Sequence, residues 1–104
     1  MRFELHPEAR AERRSAALWY DEQRPGLGDE FIADVSATLD RIGGTSESYP
    51  AWPRTRAAGP LIRKAIIQRF PYVIAFEKHE QHLLVLAVAH AKRRPLYWLT
   101  RTNP

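Results

Sequence analysis

"LIRKAIIQRFPYVIAFEKHEQHLLVLAVAH", residues 61–90, holds three apolar segments in quick succession: Leu61 to Ile67, Tyr72 to Phe76 and Leu83 to Ala89. They are rich in β-branched and aromatic residues, and the breaks between them, Gln68-Arg-Phe-Pro71 and Lys78-His-Glu-Gln81, have the length of hairpin turns. The pattern predicts an antiparallel three-stranded meander. Its last strand is apolar at both parities, which suits an interior position with neighbours on both faces.

Outward from the meander, toward the N-terminus, the pattern changes. Phe3 and Leu5 alternate with Arg2, Glu4 and His6, the period of a short strand with one buried face. Pro7 ends it and suits a first helical turn, Glu8 favours the helix dipole, and Ala9, Ala16, Leu18, Trp19 and Tyr20 supply an apolar stripe. A helix over 7–23 follows. Arg24-Pro-Gly-Leu-Gly28 interrupts it, and Asp29 is placed to cap a second helix in which Phe31, Val35, Leu39 and Ile42 recur at helical spacing until Gly43-Gly44. The expected fold is α+β: an N-terminal strand and a hairpin of helices 7–23 and 29–42 packed on one face of an antiparallel sheet. Residues 45–60, with three prolines and no period, read as a long loop carrying Arg54 and Arg56.

At 104 residues the chain is expected to form one domain over 1–104. It has no cysteine, which excludes disulfides and thiolate metal sites, and its longest apolar run is far short of a membrane span. A cytoplasmic location with no membrane partner is the expectation. The net charge is +4, with residues 1–40 at −4 and residues 41–104 at +8. Such a basic second half suits a phosphate backbone or an acidic protein partner.

The stretch "HAKRRPLYWLTR", residues 90–101, is free of acids and rich in cations and aromatics. If the helices cover one face of the sheet, the other remains open, and Arg63 or Lys64, Arg69, His90, Arg93 and Arg94 would rim a groove on it. His90 shares strand parity with Leu84, Leu86 and Val88, at the end of one face. Guanidinium groups near one imidazole suit RNA cleavage without a metal or cofactor: a base takes the 2′-hydroxyl proton and cations stabilise the charged transition state. His90 or Tyr97 would carry protons, Arg63 and Arg69 would complete the catalytic set, and Lys64, Arg93, Arg94 and Arg101 would bind nucleic acid. His79 and His82, near Glu77 and Glu80, lack a third firm ligand for zinc. Nothing in the sequence supports hydride transfer or nucleotide hydrolysis.

Glu8-Ala9, Trp19-Tyr20 followed by Pro25-Gly-Leu-Gly28 and Phe31, Ile62-Arg63, Arg69-Phe-Pro-Tyr72, and His90 with Arg93, Pro95, Tyr97 and Trp98 occur in an order that resembles the RelE/ParE superfamily of type II toxin–antitoxin toxins. The resemblance implies a small growth inhibitor, held silent by an antitoxin that is acidic and partly disordered when free. It implies one of two targets: the ribosome and its mRNA, cut by RelE-like members, or DNA gyrase, poisoned without RNA cleavage by ParE-like members. The cations favour mRNA cleavage by a metal-independent endoribonuclease as the first expectation. Gyrase poisoning is the alternative, and a non-toxic nucleic-acid-binding domain is the third reading.

Overall fold

The computed structural model of the chain describes residues 2–52, 61–94 and 96–101. Strand β1 (Arg2–Leu5) leads into helices α1 (Pro7–Gln23) and α2 (Leu27–Thr45), a 3-10 turn at Ser46–Ser48, and strands β2 (Ile62–Ile66), β3 (Tyr72–His79) and β4 (His82–His90). A second 3-10 turn spans Leu99–Arg101. The sheet order is β1-β4-β3-β2, so β4 is interior, as its two-sided apolar pattern requires. The meander is antiparallel. β1, however, runs parallel to β4, with Phe3 opposite Leu83 and Leu5 opposite Val85, so the sheet is mixed rather than antiparallel throughout. The outer edge of β4 carries backbone groups that need partners, and β1 supplies them only as far as Val85.

The first helix has the expected bounds, and the His6 ring caps it by accepting the Glu8 amide at 3.1 Å. α2 differs at both ends. It begins at Leu27 rather than after Asp29, because Gly26 takes the left-handed conformation (φ 90°) that opens it, leaving Asp29 in the first turn. It also continues through Gly43-Gly44 to Thr45. Gly43 serves close packing there, since a Cβ would stand 3.2 Å from the Phe3 ring of β1. Gly28 plays the same part between the helices: a Cβ would lie 2.3 Å from the Ala17 carbonyl oxygen, and the Gly28 amide instead donates to Asp21 at 2.7 Å.

The helices bury Ala9, Ala16, Phe31, Val35, Leu39 and Ile42 against Ala65, Ile67, Ile74, Phe76, Leu83, Val85 and Val88. Burying a side chain of this size stabilises by roughly 1.5–3 kcal/mol, which makes this layer the main apolar contribution to folding. A second cluster occupies the other face: Ile62, Ala75, Leu84, Leu86, Ala87 and Ala89 under Trp98, with Trp52, Leu96 and Tyr97 packed on it. That face is therefore not left open as the sequence suggested. Trp98 is 1% exposed and its ring meets Trp52 at 5.3 Å. The long loop is also partly ordered, since the Trp52 amide donates to Ile62 and the Lys64 amide to Pro50, each at 2.9 Å. Arg54, Arg56 and Pro95 lie outside the described residues. No helix among the described residues is long and apolar enough to cross a membrane.

A bulge separates the pairs Ala75–Ala87 and Phe76–Val85. It turns Leu86 and Ala87 to the same face, so strict alternation fails: Val88 faces the helices while Leu84 and Leu86 face Trp98. Simple parity had put His90 with all three.

Candidate functional site

Beyond Val85 no strand among the described residues lies beside the outer edge of β4, and side chains take over. The Val88 amide donates to Glu12 Oε1 at 3.0 Å and the Leu86 carbonyl accepts from Arg101 at 3.0 Å. Glu12 reaches this edge from α1, where it lies between Ala9 and Ala16 on the inward stripe. Its carboxylate also accepts the Tyr97 hydroxyl at 2.5 Å and two bonds from Arg101 at 3.0 and 3.1 Å. Arg93 approaches it at 3.6 Å. One carboxylate thus ties α1, β4 and the 96–101 segment together, with charge-assisted bonds in the sheltered gap that β1 leaves.

This geometry fixes what each predicted residue can do. The Tyr97 ring lies 3.8 Å from the Arg93 guanidinium and 5.1 Å from that of Arg101. Burial, and then the hydrogen bond to Glu12, push the Tyr97 hydroxyl far above the ordinary tyrosine range, further from a proton carrier at neutral pH. The phenol therefore anchors the segment. An alkaline titration followed by phenolate absorbance is expected to show one component well later than the rest, and Tyr97→Phe should remove it. Because the folded value is raised, the stability linked to this group is present below about pH 10 and lost as pH climbs beyond it, where only the unfolded chain ionises.

His90 sits at the end of β4, its ring 5.2 Å from Tyr72. Tyr72 belongs to an aromatic cluster with Tyr20, Phe31 and Phe70, spaced 4.8 to 6.2 Å apart. The sequence motif Trp19-Tyr20, Phe31 and Arg69-Phe-Pro-Tyr72 is thus a packing unit that sets the position of His90. The ring Nδ1 accepts the Lys92 amide at 3.1 Å. That bond makes Nδ1 the acceptor and leaves Nε2 as the other ring nitrogen.

The remaining cations divide. Arg63 points to the helix side of the sheet and donates to the Tyr49 and Glu47 carbonyls at 2.7 and 3.4 Å, stapling the turn after α2. Arg69 pairs with Glu30 of α2 at 2.7 Å while its amide donates to Asp34. Arg69 and Arg24 hold the Glu30 carboxyl below the usual range. Neither Arg63 nor Arg69 lines either of the two hollows beside His90 among the described residues, so the expected single groove with all of them on its rim is not seen there. Arg101 is held by the Glu12 carboxylate and the Leu86 carbonyl.

His90 and Arg93 form a ridge between two hollows. One, of about 440 Å³, lies toward α1 with Trp19 and Tyr72; the other, of about 270 Å³, takes in Lys64, Arg94, Trp52 and Trp98. Lys64 stands 4.9 Å from the Trp52 ring centroid. Lys64, Arg93 and Arg94 therefore do come together, as a cationic rim beside the half-buried Trp52. The residue that sequence reasoning missed is Glu12, whose signal was an acid on the buried stripe of α1.

The chain is similar to a solved structure from the chromosomal ParDE toxin–antitoxin system of P. aeruginosa, with a TM-score of 0.72 over 88% of this chain and 97% of the other at 13% identity, a likeness of fold. Among curated proteins no sequence matches. The family model for the ParE toxin of type II toxin–antitoxin systems, parDE, matches residues 3–95. With the mixed sheet, the helical hairpin and the aromatic cluster beneath His90, that match over nearly the whole chain identifies it as a member of the ParE toxin family.

Proposed function

We propose that the protein is a ParE-like toxin that poisons DNA gyrase without cutting RNA, reversing the order in which the cations alone ranked the two targets. The observation that carries this reading is the engagement of the would-be catalytic groups. Tyr97 is committed to Glu12, Arg63 and Arg69 to distant partners, and Nδ1 of His90 to the Lys92 amide. What stays available is the rim of Lys64, His90, Arg93 and Arg94, suited to holding an anionic or carbonyl-rich surface. An antitoxin, acidic and partly disordered when free, would silence the toxin in the complex.

Purified protein is expected to block supercoiling by gyrase and to leave mRNA on programmed ribosomes intact. Arg93→Ala with Arg94→Ala should weaken gyrase inhibition by about tenfold or more while the fold persists. Ribosome-dependent cleavage that drops about a hundredfold in His90→Ala would replace this reading with the nuclease one.

A further inference from the structure

The charge asymmetry of the sequence is partly resolved inside the molecule. Acids from the first half meet cations from the second: Glu12 with Arg93 and Arg101, Glu30 with Arg69, Glu47 with Lys78. Lys64 and Arg94 are left out of this pairing, since among the described residues neither side chain donates to an acid or a carbonyl. The two hollows flanking the ridge of His90 and Arg93 therefore differ in charge. Glu8 and Glu12 line the one toward α1, whereas the one toward β2 has Lys64, His90, Arg93 and Arg94 and no acid among its described lining residues. An anion approaching the ridge is drawn to the β2 side and turned away by Glu8 on the other.

We propose that the hollow toward β2 seats the sugar–phosphate backbone of DNA. The inference deepens the gyrase reading and rests on it for the choice of polymer, since DNA is what gyrase holds. Lys64 rises from β2 and His90 ends β4, two strand spacings or about 10 Å apart across the sheet, the axial rise of about three nucleotides in one strand. Cations at that span suit successive phosphates better than a single carboxylate. Between them lie the apolar side chains of Ile66, Val73, Ala89 and Ala91, with Ile66 67% exposed. Such a floor accepts deoxyribose and disfavours ribose, whose 2′-hydroxyl would be desolvated against it. Trp98 fills the face beneath and leaves no deep pocket for the anchoring side chain by which a peptide would be held. Contacts of this kind go to the backbone, so binding is expected to be independent of base sequence.

Fluorescence anisotropy of a short labelled DNA duplex with the purified, antitoxin-free chain, gyrase absent, tests it over a series of salt concentrations. The logarithm of the affinity is expected to fall against that of salt with a slope of about −3, as three or four neutralised phosphates require. Lys64→Gln, which keeps part of the stem over Trp52, and Arg94→Ala should each flatten the slope by about one and weaken binding by about threefold or more at low salt. Arg10→Ala removes the same charge from α1, away from the rim, and should leave the slope unchanged. Circular dichroism of each variant separates a lost contact from a lost fold. An equal loss in Arg10→Ala, an unchanged slope in both rim variants, or an RNA duplex of the same sequence bound more tightly than the DNA would overturn the proposal. A chain that blocks supercoiling yet binds no DNA sinks this inference and spares the gyrase reading; one that binds DNA with the expected slope and leaves supercoiling untouched does the reverse.

Discussion

Glu12→Ala is expected to cost about 3–5 kcal/mol of folding stability, because it removes the carboxylate from a sheltered ion pair, leaves the Val88 amide and the Tyr97 hydroxyl without their acceptor and leaves the Arg101 charge held only by the Leu86 carbonyl. For a chain of this size that lowers the melting temperature by more than about 10 °C. The loss should be regional as well as global. The segment 96–101 is tied through Tyr97 and Arg101 to that one carboxylate, so proteolysis there should accelerate before the helices yield. Glu12→Leu with Arg101→Met, which removes both charges and keeps apolar volume, is expected to recover much of the loss. Urea denaturation checks both. A cost of Glu12→Ala below about 1 kcal/mol would mean that the carboxylate does not hold the segment.

Trp98→Ala is expected to cost a similar amount, about 3–5 kcal/mol, by a different route. Its ring is the largest fully buried side chain and covers the face of the sheet that the helices do not reach. Removing it exposes Leu84, Leu86, Ala87 and Ala89 on the interior strand, and the protein is expected to bind a hydrophobic dye and aggregate on heating. Trp98→Phe should restore part of the stability. The two substitutions act on opposite sides of β4, so a double variant measures how far the carboxylate network and the aromatic lid support each other.

The parts of this fold legible in the sequence were those set by local periodicity. The helices followed from the recurrence of Phe31, Val35, Leu39 and Ile42 and of Ala9 and Ala16, and the meander from three apolar runs with short breaks. What escaped depended on partners far along the chain. Alternation at Phe3 and Leu5 showed a strand but not its direction, since its neighbour begins at His82. Gly43 looked like a helix stop because the Phe3 ring it accommodates is forty residues away. The bulge at Leu86 broke the parity used to orient His90. For the site, Lys64, Arg93 and Arg94 were recognisable as a cationic rim, but Arg63, Arg69 and Arg101 were not separable from them. A cation's role depends on which acid or carbonyl folding sets beside it, and Glu12, Glu30 and Tyr49 are remote in sequence.

The parallel pairing of β1 with β4 also bears on synthesis. The first strand emerges from the ribosome long before residues 82–85 exist, so the helical hairpin waits with one apolar side uncovered until β4 has been translated.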